Sequence, residues 1–222
     1  MKRLMDVLLS VSAMLFLLPF MIPVMIALKL TGEHDIFYGQ ERVGRGGRHF
    51  KLWKFATMMR NSSMMPGGDL TQKDDPRILP LGGFLRKTKI NELPQIVNIV
   101  VGDMSIVGPR PLTPKHFALY SSDVQETIGR VRPGLTGVGS LVFRDEENML
   151  DRVPGDRTEF HAKVNIPYKG QLEGWFAEHN TISVYIKVII LTAWSVLFPN
   201  SKLYTKVLKD LPLPPSELKP YL

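Results

Sequence analysis

The chain has 222 residues, enough for one sizeable core, and its 44% hydrophobic and 22% charged content is ordinary for a globular domain. Lysine and arginine number 28 against 21 acidic residues, and the net charge of +7 points to anionic partners: phosphate esters, nucleic acid or anionic lipid. Cysteine is absent, which excludes disulfides and thiolate metal sites and fits a reducing compartment.

The N-terminus carries the first strong signal. Val7 to Leu28 reads "VLLSVSAMLFLLPFMIPVMIAL", 22 residues without a charge and long enough to span the hydrocarbon layer as a helix. Pro19 and Pro23 each remove a backbone donor and crowd the carbonyl one turn back, so either can kink or break that helix. Lys2 and Arg3 precede the stretch and Lys29 follows it, so flanking charge sets no direction of crossing. A re-entrant helix that breaks near the prolines and returns to the same face satisfies both facts. A kinked span and a buried core helix are the competing readings.

Beyond this helix the pattern predicts a mixed α/β chain, mostly helical with a small β-hairpin. "IFYGQERVGRGGRHFKLWKFATM" (Ile36 to Met58) reads as two short strands around a Gly44–Gly47 turn, because its glycines supply positive φ. Met58 to Arg77 is polar and punctuated by Pro and Gly, hence a loop or short helices. Leu81 to Arg86 leads into a helix expected around Glu92 to Val100, with Pro94 in its first turn. "GPRPLTP" (Gly108 to Pro114) cannot be helix interior, and "RVRPGLTGVG" (Arg130 to Gly139) is turn-rich. Residues 182–198, "ISVYIKVIILTAWSVLF", form an apolar helix that suits either the membrane interface or the core. The tail "LPLPPSELKP" should be extended. The expected organisation is therefore a membrane helix over 1–30 and a catalytic domain over 31–222, with no internal repeat.

Cations gather at turns: Lys54, Arg77, Arg86, Lys87, Lys89, Arg110, Arg130 and Arg132. Arg110 stands between two prolines after a glycine, which fixes its backbone and makes it an anion clamp in waiting. Arg132 precedes "PGLTG", where amides such as that of Gly134 can add an anion-binding concavity. Neither phosphate-loop glycine fingerprints nor His/Cys metal spacings occur, and the five histidines are scattered. Nucleic-acid binding rests on charge alone, lacking a motif or stacking platform, and is not expected. The carboxylates Glu92 and Asp103 lie among these cationic turns, a setting that suits Mg²⁺ and phosphoryl chemistry as readily as a plain salt bridge.

Taken together, the basic Lys2–Arg3…Asp6 start, the proline-bearing apolar helix, "QERVGRGGRHFKLWKFATM", "ELPQ", "GDMS", "GPRP" and "RPGLTG" resemble the bacterial sugar transferase family, the small monotopic phosphoglycosyl transferases. The resemblance covers almost the whole chain. It implies transfer of a sugar-1-phosphate from a UDP-sugar to polyprenyl phosphate, with release of UMP, at the cytosolic face of the bacterial inner membrane. It also implies Mg²⁺ and contact with an anionic bilayer through the re-entrant and interfacial amphipathic helices. Membrane enzymes of this size can self-associate, so a homo-oligomer is compatible with the sequence but not specified by it. Glu92 matches the second member of the family's Asp–Glu pair before "LPQ". Arg86, Arg110 and Arg132 match its phosphate-binding arginines, and Lys54 the lysine of its "KFR" motif. Two positions depart from the pattern. The nucleophilic Asp is Asn91 here, and the "KFR" arginine is Ala56. An amide oxygen is a poor nucleophile, so either Glu92 supplies the chemistry, with Asn91 and Glu92 at the metal, or the chain is a catalytically impaired nucleotide-sugar or lipid-binding member.

Overall fold

A computed structural model describes residues 1–65 and 75–222. It opens on helix α1, Lys2–Leu30, a single 29-residue element with Pro19 and Pro23 inside it. The sequence leads one to expect a break there; the chain instead stays helical through both prolines. Each proline deletes only its own N–H bond, and the remaining i→i−4 bonds of so long a helix carry the backbone past it. By length and composition α1 is the one helix among the described residues able to cross a membrane, and its 18-residue apolar window is only 11% buried.

Strands β1 (Phe37–Val43) and β2 (His49–Phe55) form the expected hairpin as an antiparallel pair. A 3-10 turn at Arg45–Gly47 joins them, with Gly46 and Gly47 at φ 68° and 73°. Part of the predicted loop after Met58 lies outside the described residues. Helix α2 (Gly82–Lys87) follows, then a 3-10 turn at Ile90–Glu92, then α3 (Gln95–Val101). The predicted helix from Glu92 thus starts three residues later. Pro94 directly precedes it, supplying no donor where none is needed.

The described chain divides into two compact units. The smaller comprises Val7–Glu41 and Lys51–Val101. Its core joins Met21 and Leu28 of α1 to Phe55 and Leu85, with Leu17, Val24, Ile90 and Leu93 packed around them. One stripe of α1 is thereby covered, while Leu15, Phe16, Phe20 and Ile26 remain more than half exposed.

The larger unit comprises Met1–Asp6, Arg42–Phe50 and Gly102–Leu222. Here β3 (Ser105–Val107) pairs in parallel with β4 (Gly134–Thr136), Ser105 opposite Gly134 and Val107 opposite Thr136. Between them come α4 (Pro114–Phe117) and α5 (Ser122–Gly129); after them α6 (Val138–Val142), α7 (Glu146–Asp151) and α8 (Arg157–Phe160). A π-turn at His161–Asn165 then leads into α9 (Ile166–Glu178). Pro167 explains the π-turn: it lacks the N–H that the Lys163 carbonyl would take in an α-helix. Helix α10 (Ile182–Leu197) and the short α11 (Tyr204–Val207) complete the unit.

The core of the larger unit gathers Val107, Val138, Leu141, Leu172, Phe176, Tyr185, Val188 and Leu191, together with Leu218 of the tail. The tail, expected to be extended, has no regular structure over residues 211–215 and then turns over 216–221, burying Leu218 completely. Helix α10 answers to both sequence readings: Tyr185, Val188 and Leu191 face the core, while Ile186, Ile190 and Leu197 are exposed. The start of α1 is fastened to this core by Asp6. Its buried Oδ1 accepts from Ser105 Oγ (2.9 Å), Ile106 N (2.9 Å) and Tyr185 OH (2.7 Å). Asp6→Ala leaves the buried Tyr185 hydroxyl and Ile106 amide without their acceptor. It should cost about 2–4 kcal/mol, read as an earlier denaturant midpoint for the detergent-solubilised protein.

Candidate active site

In the smaller unit the candidate residues lie along β2, α2 and the turn after it. Asn98, fully buried in α3, clamps β2 by accepting from Trp53 N (3.0 Å) and donating to the Lys51 carbonyl (2.8 Å). Lys54 is the next residue of that strand. Ala56, at the place of the family's arginine, is 5% exposed, and its N–H bonds to the Ile36 carbonyl (2.9 Å). Gly82 starts α2 against the strand exit, where a Cβ would fall 2.2 Å from the Thr57 carbonyl oxygen. Arg86 and Lys87 occupy the last turn of α2, where cations suit the helix dipole.

Lys89 then takes a left-handed conformation (φ 61°) and redirects the chain into the Ile90–Glu92 turn. In a 3-10 turn, residues three apart share a face, so Ile90 and Leu93 both reach the Met21–Phe55–Leu85 core. That packing fixes the two residues between them. Asn91 is buried at 6% exposure, and its Oδ1 has no hydrogen-bond partner among the described residues. Glu92 is half-buried. A buried carbonyl-type oxygen without a donor is costly; here the next residue in the chain carries a carboxylate, on a turn held by apolar contacts. No cluster of three or more His, Cys, Asp or Glu suited to a metal occurs among the described residues. The two oxygens still fit Mg²⁺, which takes hard oxygen donors from one or two side chains and completes its shell with water and substrate phosphate.

In the larger unit the parallel pair brings the "GPRP" and "RPGLTG" segments together. Gly108 N donates to the Thr136 carbonyl (2.9 Å), and Gly134 N to the Pro109 carbonyl (2.8 Å). A Cβ on Gly134 would fall 2.0 Å from Gly108 N, so the close approach admits only glycine. Because the Gly134 amide is spent on this pairing, it is not available as the anion donor expected from sequence. Arg110 projects from the turn, exposed, while Arg132 is half-buried and donates from Nε to the Gly102 carbonyl (2.8 Å). Asp103 lies in the loop before β3.

Two carboxylates in this unit escaped the sequence reading. Glu173, on α9 and only 4% exposed, accepts from Arg110 N at 3.4 Å through Oε1; its Oε2 has no partner among the described residues. Burial pushes its carboxyl up to about 7, against the smaller opposing pull of the Arg110 amide, Lys169 and Arg110. Gly139 makes room for it, since a Cβ there would fall 2.4 Å from Oε1. Glu146 lies within reach of Lys169 Nζ (2.6 Å) and His161 (3.2 Å). Burial opposes its ionisation, but His161 and Lys169 outweigh it and hold the carboxyl at about 2. Neither residue belongs to a motif, and only its neighbours in space give it a role.

Comparison with known proteins places this arrangement in a class of membrane-associated sugar-phosphate transferases. A family model described as "Bacterial sugar transferase" matches residues 1–199. The exopolysaccharide production protein ExoY of Sinorhizobium fredii is 39% identical over 169 residues, covering 70% of this chain and 74% of that one. The UDP-glucose:undecaprenyl-phosphate glucose-1-phosphate transferase of Escherichia coli is 33% identical over 198 residues, 87% of this chain but 39% of its own length. The undecaprenyl-phosphate galactose phosphotransferase of Salmonella typhimurium is 30% identical over 210 residues. The chain belongs to the bacterial sugar transferase family, and is a phosphoglycosyl transferase.

Proposed function

We propose that the protein transfers a sugar-1-phosphate from a UDP-sugar to polyprenyl phosphate at the cytosolic face of the bacterial inner membrane. The reading is carried by one observation: the half-buried Glu92 directly follows Asn91, whose buried Oδ1 has no partner among the described residues, on a turn packed against an apolar, exposed helix. The names of the relatives support the donor and acceptor. The exposed apolar surface of α1 and its basic flanks support a re-entrant placement in the bilayer.

Asn91 Oδ1 and the Glu92 carboxylate would hold Mg²⁺, whose charge, when bound, offsets that of the diphosphate. Lys54 and Arg86, in the unit that carries the Asn91–Glu92 turn, are assigned to substrate phosphate; in the larger unit Arg110 and Arg132, on backbones fixed by the β3–β4 pairing, are assigned the same chemistry. In the reaction a new P–O bond forms at the sugar-bearing β-phosphorus, the bond to the α–β bridging oxygen breaks, and UMP leaves. Asn91 has no charge with which to attack, so the incoming oxygen belongs to Glu92 or to the acceptor phosphate itself. Release of UMP from a panel of UDP-sugars by the detergent-solubilised protein tests the reaction. Intact mass after incubation with UDP-sugar and Mg²⁺, without acceptor, separates the routes: an adduct marks attack by Glu92, and turnover without an adduct marks direct transfer. Binding of UDP-sugar with no UMP release for any sugar would instead identify a non-catalytic member of the family.

A further inference from the structure

The proline-rich tail is the sequence signal that the transferase reading leaves unused. It lies in the larger unit, after residue 199, where the family match ends. Lys209 to Pro215 reads "KDLPLPP", with Lys209, Pro212 and Pro215 spaced three apart. Proline fixes its own φ, and the residue before a proline is held in extended backbone. Leu211, Leu213 and Pro214 each precede a proline, so residues 211–215 are biased throughout toward polyproline II, a left-handed helix of about three residues per turn.

The fold of the tail bears the marks of that helix. Residues 211–215 take no regular helix or strand, and no cis peptide bond occurs among the described residues. Burial follows a period of three. Leu208 and Leu211 pack into the core and Pro214 is half-buried, whereas Asp210, Leu213 and Ser216 are exposed, Leu213 at 82%. Leu208 and Leu218, both buried, pin the segment at its two ends. Tyr168 OH holds its middle by donating to the Pro212 carbonyl (2.9 Å). Much of the ordering entropy that a flexible peptide loses on binding has thus been lost already in folding.

Beside the segment lies a cavity of about 330 Å³, walled by Val164, Pro167 and Tyr168 on one side and by Leu213 and Pro215 on the other. Apolar side chains with proline and tyrosine rings suit an aromatic guest. Exposed Lys202, Lys206 and Lys209 lead into the segment, against the one carboxylate of Asp210, so the complementary surface is acidic.

We propose that residues 209–215 are a preformed polyproline ligand for a protein domain whose groove is lined by aromatic side chains and edged by carboxylates. The half-exposed Pro212 and Pro215 lie against the aromatic rings, one of which enters the cavity, and Lys209 meets the carboxylates. A second copy of this chain or the bilayer could also cover an exposed leucine, but neither calls for a lysine and two prolines on one ridge.

The test is biolayer interferometry of the full chain in non-ionic detergent against an isolated SH3 domain and an isolated WW domain, each beside a version whose groove tryptophan is alanine. The parent should bind at least one of them, and Pro212→Ala/Pro215→Ala should weaken that binding about tenfold or more. Lys209→Glu alters only an exposed charge; it should also weaken binding and flatten its salt dependence, so a misfolded proline variant cannot mimic the result. UMP release should be equal in parent and variants, since none of these residues is assigned to transfer. Domain binding by a parent that releases no UMP would sink the catalytic reading and leave this one standing. Failure of the parent to bind either domain, equal binding by the variants, or binding kept by the tryptophan-less domains would overturn the proposal. So would binding that disappears in phosphatidylcholine–phosphatidylglycerol nanodiscs, which would assign the segment to the bilayer. A parent dimer that excludes the domains and is absent in the proline variant would likewise overturn it, in favour of a second copy.

Discussion

The Glu92→Gln protein should release UMP roughly 10²–10⁴ times more slowly than the parent, the range for loss of a catalytic carboxylate. Glutamine keeps the size and shape of glutamate. Glu92 is half-buried, and the turn that carries it is held by Ile90 and Leu93 and by backbone bonds such as Glu92 N to the Lys89 carbonyl (3.0 Å). The fold should therefore survive, with an unchanged circular dichroism spectrum and melting temperature. Only the negative charge is lost, and with it the one charged oxygen donor of the Asn91–Glu92 pair. UDP-sugar binding through the cations should fall far less than turnover, so the defect appears in kcat more than in KM. If the variant keeps turnover within threefold of the parent, Glu92 is not the reacting or metal-holding group. Any mass adduct seen with the parent should also vanish in this variant.

The parts legible in the sequence were those written in local signals. Gly46 and Gly47 announced the hairpin turn, and an uncharged run announced α1. The α2–turn–α3 segment was readable to within a few residues, because Pro94 marks where the helix can begin. The β3–β4 pair was not readable. Each strand has three residues, too few to show a period of two, and their partners are separated by about thirty residues of chain. That pair decides the fate of the Gly134 amide, which sequence alone assigned to an anion. Glu173 was hidden for a related reason. Its neighbours Arg110, Gly137 and Gly139 come from other segments, so "QLEGW" gives no hint that its carboxyl is buried. The chemistry of Glu92 rested on a motif, whereas its neighbour's unpartnered Oδ1 needed the packed turn to become visible.

Replacing Glu173 should uncouple stability from pH in the neutral range. The carboxyl is raised from 4.5 to about 7 in the folded protein, so the native state binds a proton that the unfolded chain releases. Stability from this group is therefore full below about pH 4.5 and falls as pH rises towards 7, by roughly 3 kcal/mol in all. The charged groups facing it are Arg110, from the turn after β3, and Lys169, on its own helix; the Tyr120 phenol, itself pushed upward by burial and by Glu173, stays neutral throughout. Glu173→Gln keeps an oxygen for Arg110 N but cannot ionise. Its melting temperature should vary less than the parent's between pH 5.5 and 8.5 and exceed it at the alkaline end. Glu173→Ala removes the acceptor and opens a void beside Gly139. It should lose about 2–4 kcal/mol at pH 6, and a loosened Arg110 should raise KM for the UDP-sugar more than it lowers kcat. Parallel pH–stability curves for parent and glutamine variant would show that Glu173 does not titrate in this range. A KM unchanged in the alanine variant would separate Glu173 from the substrate role proposed for Arg110.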